Sequence, residues 1–448
     1  MSDGTFYIET YGCQMNEHDS EKMAAVLNSM GLTQVPEPER ADVVLINTCS
    51  IREKAEHKVY SALGKLKPLK KKNPLMVTMV AGCVAQQKRA DLLKRVGHLD
   101  AVVGTHQISD LPSIIRRVRE DNARVNATEF ASRVGSLHLD APCLPSRVWS
   151  YVTVMQGCSN FCAYCVVPFT RGPEQSRPHE VIVIDVRGLI DKGYKDVTLL
   201  GQNVNAYGRD LSNGTNFPSL LKELDRIEGL ARIRFTTSHP RDFGPELARA
   251  MADFPTVCEH IHLPLQSGSD RVLKAMGRGY TFGEYVAKVE MLREMIPNVA
   301  VTADMIVGFP GESDEDFEQT LSALERIRYD QIFSFKFSPR PGTRAQHLPN
   351  QITDEIKAAR LEQVHAIQDR VTLDYHRASE GTVEEVLIEG VKEGSGQPYG
   401  RTRTNKIVNL DRSNCAKPGE LIPVKITRGL KHSLVGEIVI LTPKAKSL

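Results

Sequence analysis

The chain has 448 residues, of which 41% are hydrophobic and 25% are charged, and its formal net charge is +2 at pH 7. This length suffices for two or three domains with buried cores, and the near balance of charge excludes a long acidic or basic tail as the basis of binding. The first residues, MSDGTFYIETYGC, lack the pattern of a signal peptide, and no apolar stretch is long enough to cross a bilayer. We therefore expect a cytoplasmic protein without membrane contact, whose thiols stay reduced.

The N-terminal part of the chain alternates short apolar runs with helical patterns. The predicted strands are TFYIETYG, ADVVLINT, LMVTMVAG and DAVVGT, and helices are predicted near 17–30 and 52–66. This alternation indicates a parallel α/β sheet. Cys13, Cys49 and Cys83 each follow one of these strands, at separations of 36 and 34 residues. Because the ends of parallel strands meet at one edge of a sheet, these three thiols can come together.

The pattern changes after residue 120, which we take as the end of the first domain. Residues 121–147 lose the periodicity and gather Pro, Ser and Asn, which predicts a linker. Six β-type segments separated by helical patterns follow within 148–378: YVTVMQG, DVTLLGQN, RIRFTTSHP, HIHLPLQSG, VAVTADMIVGFP and YDQIFSFKFS. They predict a partial (β/α)6 barrel, closed by a helix from Thr353 to about Ala378.

Residues 379–448 show a third pattern, with β-type runs separated by Gly and Asn turns, which predicts a small antiparallel β-barrel related to nucleic-acid-binding folds. From Gly381 to the end there are 11 Lys and Arg against 7 Asp and Glu, an excess of four that suits an RNA backbone but is also common on solvated surfaces. A lysine tract at the end of a predicted helix is a second candidate RNA contact, with a solvated surface again the alternative. It contains Lys65, Lys67, Lys70, Lys71 and Lys72.

Three more cysteines follow the first predicted barrel strand, in GCSNFCAYCVVP: Cys158, Cys162 and Cys165. The spacing Cys-x3-Cys-x2-Cys can hold three irons of an iron-sulfur cube and leave the fourth open to a substrate or cofactor. The alternatives are a zinc site completed by a distant residue such as His179, and inert buried cysteines. Barrel enzymes place their chemistry at this end of the strands, which favours the cube.

With Tyr164 directly before the third cysteine, this loop resembles the signature of radical S-adenosylmethionine (SAM) enzymes. The resemblance implies a 4Fe-4S cluster whose open iron chelates SAM, and cleavage of SAM to a 5'-deoxyadenosyl radical that abstracts hydrogen. Further segments, TYGCQMNEHDSE, INTCSIREKAEHK, AGCVAQQ, LLGQNVNAYG, HLPLQSGSDRVLKAMGRGY and DMIVGFPGES, are together similar to the methylthiotransferases. The similarity is greatest to the tRNA branch, which makes 2-methylthio-N(6)-dimethylallyladenosine, and the order of an α/β domain, a radical SAM barrel and a TRAM module is also that of this family.

By this resemblance Cys13, Cys49 and Cys83 hold a second 4Fe-4S cluster, implicated in supplying sulfur, and SAM also supplies the methyl group. The implied partner is a tRNA anticodon arm, with the modified adenosine at position 37. We expect a monomer, and no motif identifies the electron donor or the sulfur source. The other three cysteines fit neither triad, and we predict that each can be lost without loss of activity: Cys143, Cys258 and Cys415.

The resemblance also implies SAM contacts, although turn formation and capping would account for the same residue types. Tyr164 would pack against the adenine. The other implied contacts follow barrel strands: Gln202, Asn203, Gln266, Ser267, Gly308 and Gly311. Arg171 and Arg177 flank the cysteine loop and could contact a SAM carboxylate or a tRNA phosphate, or form structural salt bridges. No catalytic residue beyond the cluster ligands is predicted.

Two rival functions remain at this stage. One is a related methylthiotransferase that acts on a ribosomal protein side chain or on threonylcarbamoyl-adenosine, because these relatives share the three-domain plan. The other is a non-catalytic RNA-binding protein with a structural metal site.

Overall fold

The computed structural model of the chain describes residues 4–50, 53–131, 147–412 and 416–439. Its N-terminal domain is a parallel sheet of six strands, as the alternation of strands and helices predicts. The strands are β1 (Thr5–Tyr11), β2 (Thr33–Gln34), β3 (Val43–Thr48), β4 (Val77–Gly82), β5 (Ala101–Val103) and β6 (Val125–Ala127), in the order β2-β1-β3-β4-β5-β6. The helices are α1 (Gln14–Ser29), α2 (Glu53–Lys72), α3 (Cys83–Lys88), α4 (Ala90–Arg95) and α5 (Leu111–Glu120).

Helices cover both faces of this sheet, which explains why its central strands read as continuous apolar runs. Every residue of β3 and β4 is buried. On one face the strands pack against α1 and α5, through residues such as Leu27 and Ile115. On the other they pack against α2 and α4, through residues such as Leu63 and Leu92. The three strands that precede Cys13, Cys49 and Cys83 are adjacent in the sheet, because β3 lies between β1 and β4.

The sheet extends into the segment that the sequence predicts to be a linker. Val125–Ala127 pairs with Ala101–Val103 as a sixth strand, beyond the boundary predicted at residue 120. A three-residue edge strand is too short to show a repeating apolar pattern, so the sequence did not reveal it. Residues 132–146 of that predicted linker lie outside the described residues.

The second domain is a partial barrel of parallel strands surrounded by helices. Its strands are β7 (Trp149–Thr153), β8 (Met155–Gln156), β9 (Gln175–Ser176), β10 (Asp196–Leu200), β11 (Arg232–Phe235), β12 (His260–His262), β13 (Ala300–Val307) and β14 (Gln331–Lys336). Its helices are α6 (Val167–Thr170), α7 (His179–Asp191), α8 (Phe217–Asp225), α9 (Pro245–Asp253), α10 (Asp270–Met276), α11 (Phe282–Met295), α12 (Asp314–Ile327) and α13 (Asp354–Ala378).

Six of these strands form the barrel wall, which confirms the predicted (β/α)6 plan. They form two parallel sheets, β7-β10-β11 and β12-β13-β14, which a parallel bridge between Ile233 and Val257 brings together. The short strands β8 and β9 pair separately, next to the cysteine loop. The predicted long helix at the end of this domain is α13. No helix among the described residues is both long and apolar enough to span a membrane.

The third domain is a closed barrel of five strands: β15 (Val383–Val391), β16 (Pro398–Thr402), β17 (Ile407–Leu410), β18 (Leu421–Gly429) and β19 (Leu434–Ile438). Its interior is filled by Val386, Ile388, Val408, Leu410, Val424, Ile426 and Leu434. Four of the strand pairs are antiparallel, as predicted, and the pair β17 and β19 is parallel. The parallel pair closes the barrel, because the chain crosses through β18 before β19 returns beside β17.

Buried arginines attach this small barrel to the floor of the larger one, which is the end where the strands of the larger barrel begin. Arg232, at the start of β11, is fully buried and donates to the backbone carbonyl of Glu385 at 3.0 Å. Arg234 donates to the carbonyls of Thr402 and Arg403 at 2.9 and 3.0 Å. These contacts lie at the N-terminal ends of the large barrel's strands, whereas the cysteine loop follows the C-terminal end of β7. The two features are therefore at opposite ends of the barrel.

Candidate active site between two cysteine triads

The N-terminal cysteines meet at the C-terminal edge of the first sheet. A hydrogen bond with Cys49 lowers the pKa of the Cys13 thiol to about 6, although burial acts in the opposite direction. Burial raises the pKa of Cys83, and the charge of Arg171 partly opposes that effect. Cys13 also contributes to the raised pKa of Cys83. The sheet therefore brings these three thiols into mutual contact or electrostatic range, as the sequence predicts.

Two buried asparagines fix the loops that carry Cys13 and Cys49. Asn16 donates to the carbonyl of Thr48 at 3.0 Å, and Asn47 donates to the carbonyl of Asn16 at 2.8 Å. The Cys13 thiol in turn lies 3.3 Å from Asn16 Oδ1. Sequence analysis did not single out either asparagine, although both stand within the cysteine-containing segments TYGCQMNEHDSE and INTC.

A glycine allows the third loop to approach the asparagine pair. Gly82, directly before Cys83, has φ +88°, and a Cβ at this position would collide with Asn47 Oδ1 and with the backbone of Thr48. Only glycine combines this backbone conformation with so close an approach. The close approach of Gly82 to Asn47 and Thr48 places Cys83 next to the loop that carries Cys49.

The second triad lies in the loop after β7. Burial raises the pKa of Cys158 to about 11 and that of Cys165 to about 12, and the neighbouring Cys162 contributes to both shifts. Arg278 Nη1 lies 3.5 Å from Cys162 Sγ and 3.4 Å from Tyr164 Oη. Cys158 and Cys165 are therefore protonated at neutral pH without a metal, and an iron must displace those two protons to bind.

The donor set suits an iron-sulfur cube better than zinc. Within the four described segments of the chain, no three His, Cys, Asp or Glu side chains are arranged to hold a single metal ion. His179, the proposed fourth zinc ligand, stands at the start of α7 and is not grouped with the cysteines. A cube accepts a wider arrangement, because each thiolate binds a different corner iron. Both triads supply three thiols, the donor that such clusters require.

Buried polar atoms without a protein partner surround the mouth of the barrel. Gln202 Nε2, Asn203 Oδ1 and Gln266 Oε1 each lack a hydrogen bond within the described residues. Gln202 accepts from the backbone N–H of Gly157, next to Cys158, and Asn203 donates to Asp242 at 2.7 Å. Since buried polar groups are normally paired, these free atoms fit a polar ligand such as SAM.

The remaining strand-end residues have internal partners. The Ser267 hydroxyl lies 3.3 Å from that of Thr320 and accepts from the backbone N–H of Ser269 at 3.2 Å. Gly308 and Gly311 both have positive φ, and Gly308 donates to the Glu312 carboxylate at 2.7 Å. These contacts match the turn-forming alternative; whether Ser267 and the two glycines also touch SAM stays a prediction. Glu312 was missed by sequence analysis, and its Oε1 is buried without a partner within the described residues.

Three residues at this mouth have left-handed backbone conformations that residues other than glycine rarely adopt. Phe161 has φ +47°, Thr237 has φ +64° and Gln266 has φ +77°. Thr237 follows β11 and Gln266 follows β12, so the strain occurs at the ends of two consecutive strands. Strained residues of this kind concentrate at functional sites.

The two arginines that flank the cysteine loop both form structural ion pairs. Arg177 Nη2 bonds Asp185 at 2.6 Å, and Arg171 Nη2 bonds Asp19 of the N-terminal domain at 2.7 Å. Arg171 also interacts with Cys83. The salt-bridge alternative is thus observed for both residues, and both arginines are buried.

The lysine tract lies away from both triads. Helix α2 runs past the predicted end at Leu66 to Lys72, and Lys70 pairs with Asp100 at 2.7 Å. Asp100 directly precedes β5, so the tract lies at the N-terminal edge of the sheet, opposite the cysteines. RNA contact by these lysines would therefore be remote from the cysteines.

The C-terminal edge of the N-terminal sheet faces the mouth of the barrel. Thr105 donates to the carbonyl of Thr170 at 2.7 Å, and His106 Nε2 donates to the carbonyl of Arg171 at 2.9 Å. Gln87, in α3, donates to the carbonyl of Pro341 at 3.3 Å. The first two contacts join the N-terminal sheet to the segment that follows the barrel triad, and the third joins α3 to the segment after β14.

A partial barrel with three cysteines directly after its first strand defines a radical SAM protein. Residues 152–324 match the Radical SAM superfamily, residues 5–104 match Uncharacterized protein family UPF0004, and residues 377–439 match the TRAM domain. The solved structure of the radical SAM methyltransferase TsrM from Kitasatospora setae has a similar fold. Its TM-score is 0.57 at 14% identity, with 77% of each chain covered.

Curated relatives match almost the whole chain. The tRNA-2-methylthio-N(6)-dimethylallyladenosine synthase of Thermodesulfovibrio yellowstonii is 47% identical over 439 residues, covering 98% of this chain and 100% of the relative. The synthase of Geobacter metallireducens is 48% identical over 435 residues, covering 97% and 98%. The chain belongs to the tRNA-2-methylthio-N(6)-dimethylallyladenosine synthase family of radical SAM methylthiotransferases.

Proposed function

We propose that this transferase converts N(6)-dimethylallyladenosine at position 37 of tRNA, next to the anticodon, to its 2-methylthio derivative. The enzyme uses SAM and two 4Fe-4S clusters. The observation that carries the proposal is the approach of the two cysteine-containing regions at the domain junction. There Arg171, which follows the barrel triad, interacts with Cys13 and Cys83, and α6 packs against α3. The match to synthases of the same domain order over nearly the full chain supports the choice of substrate.

We assign one cluster to Cys13, Cys49 and Cys83 and the other to Cys158, Cys162 and Cys165. The clusters and SAM, when bound, supply the one-electron and sulfur chemistry that this substitution needs. Carbon-2 of adenine carries a hydrogen that is not acidic and is not replaced through a leaving group, so side-chain acids and bases alone are insufficient. The protein's part is to hold the adenine between the two triads and to exclude water.

We assign SAM to the barrel mouth, beside Tyr164 and the strand ends. Gln202 Nε2 is a free donor there, and Asn203 Oδ1 and Gln266 Oε1 are free acceptors. SAM offers an amino group, ribose hydroxyls and an adenine, which pair with both kinds of group. Ser267, Gly308 and Gly311 complete the proposed site by shaping the turns that carry these groups.

We propose that the enzyme works as a cytoplasmic monomer on the anticodon arm. The single-stranded loop allows adenosine 37 to leave its stack and enter the space between the triads.

The test is anaerobic reconstitution with iron and sulfide, followed by incubation with SAM, a reductant and tRNA that already carries dimethylallyl-adenosine. Mass spectrometry of the digested nucleosides should show a methylthio mass gain on that nucleoside. Parallel reactions offer threonylcarbamoyl-adenosine tRNA and ribosomal protein. A product only with one of these would reassign the substrate, and intact clusters that never cleave SAM would contradict the enzymatic function.

A further inference from the structure

Two phenylalanine rings stand exposed at the mouth of the barrel. Phe161 is 55% exposed and Phe169 is 47% exposed, in a protein that buries most of its large apolar side chains. The rings meet edge to face, with centroids 6.5 Å apart. Each ring therefore keeps open surface toward solvent.

The pair belongs to the segment that carries the barrel triad. Phe161 directly precedes Cys162, and Phe169 lies in α6, which follows Cys165. Helix α6 packs against α3, the helix that begins at Cys83 of the other triad. The aromatic pair thus lies beside the space in which we place the reacting adenine.

Backbone stability does not account for a phenylalanine at position 161. Its φ of +47° is unfavourable for a bulky side chain and suits glycine far better. A strained residue that also exposes an apolar ring is costly to the free protein, and such strain is typical of residues that act on a ligand.

Two arginines contact the backbone and side chain of this part of the loop. Arg344, which is exposed, donates to the carbonyl of Phe161 at 3.3 Å. Arg241, whose side chain is 44% exposed, donates to the side chain of Asn160. Arg241 also pairs with Asp242 at 3.2 Å, so Arg344 is the arginine that would attract a phosphate. Open aromatic rings next to an arginine are the combination with which proteins bind single-stranded nucleic acid, by stacking on bases and attracting phosphates.

We propose that Phe161 and Phe169 form a stacking site for a base that flanks the modified adenosine in the anticodon loop. This inference rests on the proposed function and adds a binding subsite to it. Removing adenosine 37 from the stack leaves its neighbours with an uncovered face, and an aromatic ring can replace the lost stacking. The site would thereby hold the loop open while the adenine lies between the triads.

The test measures affinity of the reconstituted enzyme for an anticodon stem-loop that carries dimethylallyl-adenosine, by fluorescence anisotropy without oxygen. Phe161→Gly removes the ring and relieves the backbone, so it is not expected to unfold the loop. Phe169→Leu keeps apolar bulk in a short helix but removes the ring. Each variant should weaken binding about 5- to 100-fold, the range for loss of one stacked base.

Stem-loops that lack the base at position 36 or at position 38 identify the contact. On the RNA that has lost the stacked base, the phenylalanine variants should bind as the wild type does. Ile184→Ala, which removes a side chain 59% exposed on the outer helix α7, is the control and should bind both RNAs normally. Iron content and thermal unfolding, measured for every variant, show whether the loop and clusters are intact.

Affinities within about twofold of the wild type for both variants would overturn the proposal, since a stacked base contributes more than that. So would a loss that persists in both RNAs with a missing base, or a loss that vanishes when only the dimethylallyl group is omitted. A loss that vanishes without the dimethylallyl group would assign the rings to that prenyl group. Methylthiolation of the intact stem-loop by the wild type tests the proposed function separately.

Discussion

Arg171 and Asp19 connect the two domains that carry the cysteine triads. The atoms Nη2 and Oδ2 lie 2.7 Å apart, and the two side chains are only 4% and 5% exposed. Burial alone would lower the pKa of Arg171, but Asp19 and the thiols of Cys83 and Cys13 raise it above its ordinary value, so the pair is ionic. Arg171 follows the barrel triad along the chain, and Asp19 lies in the helix that begins after Cys13. The ion pair therefore fixes the position of one triad relative to the other.

Replacing Asp19 should loosen this junction. Asp19→Asn keeps the shape but leaves a buried guanidinium without a counter-charge, which typically costs about 3–5 kcal/mol. Urea unfolding followed by limited proteolysis should show earlier release of the N-terminal domain. Asp19→Asn combined with Arg171→Met should be less destabilised than the sum of the single variants. Arg370→Gln, at an exposed pair with Glu325, is the control and should cost under about 1 kcal/mol. Equal effects of the buried and exposed variants would contradict this role.

Substitutions in the two triads should block different steps of the reaction. Cys162→Ala should abolish SAM cleavage, because it removes a ligand of the cluster that we assign to SAM. Cys49→Ala should spare some cleavage, measured as 5'-deoxyadenosine, but block the methylthio mass gain. Each should lower bound iron to roughly half, since each disrupts one of two cubes. Normal methylthiolation by the Cys49 variant would remove the second-cluster assignment.

A third cysteine gives the matched control for those variants. Cys258 is buried at 1% exposure near Arg234, outside both triads. Cys258→Ala should keep full iron content and activity. The same outcome is predicted for Cys143 and Cys415, which lie outside the described residues.

Gln266 should bind SAM through its side chain without being needed for folding. Gln266→Gly removes the free amide oxygen and suits the φ of +77°, so affinity for SAM should fall about 2- to 10-fold while thermal stability is kept. Equilibrium dialysis of the reconstituted protein measures the affinity. Asn122→Gly, at another residue with positive φ, should leave SAM affinity unchanged. An unaltered SAM affinity in the Gln266 variant would mean that its amide faces no ligand.

The TRAM domain should depend on Arg403 for its attachment. Arg403 makes a two-point ion pair with Glu259, at 2.7 and 2.9 Å, and donates to the carbonyl of Val257 at 2.7 Å. Arg403→Met should make this domain more sensitive to protease and weaken tRNA binding, with SAM cleavage in the absence of tRNA unchanged. Lys431→Met, at the exposed pair with Asp369, is the control. Protease resistance equal to that of the wild type would show that other contacts suffice.

Most of the barrel and the grouping of each cysteine triad could be predicted from local sequence patterns. Apolar strands at regular intervals, each followed by a cysteine, predict both the sheet and the shared edge, because the edge follows from parallel pairing alone. The three cysteines of the barrel loop are close in sequence, so no tertiary information is needed to group them. By contrast, β6 escaped prediction because three residues carry too little periodicity.

Contacts between residues far apart in the sequence could be identified only from the tertiary structure. Nothing in the sequence pairs Asp19 with Arg171, which lie 152 residues apart, or places the TRAM domain on the barrel floor. The electrostatic energy of such a pair depends on burial and distance, which only the packed domains provide. The exposure of the Phe161 and Phe169 rings also required the tertiary structure, because a sequence does not show which apolar side chains the fold leaves uncovered. The sequence by itself determined most of the strands, the domain order and the grouping of the cysteines, and the packing of the domains decided that α3 and α6, which follow the two triads, meet at one junction.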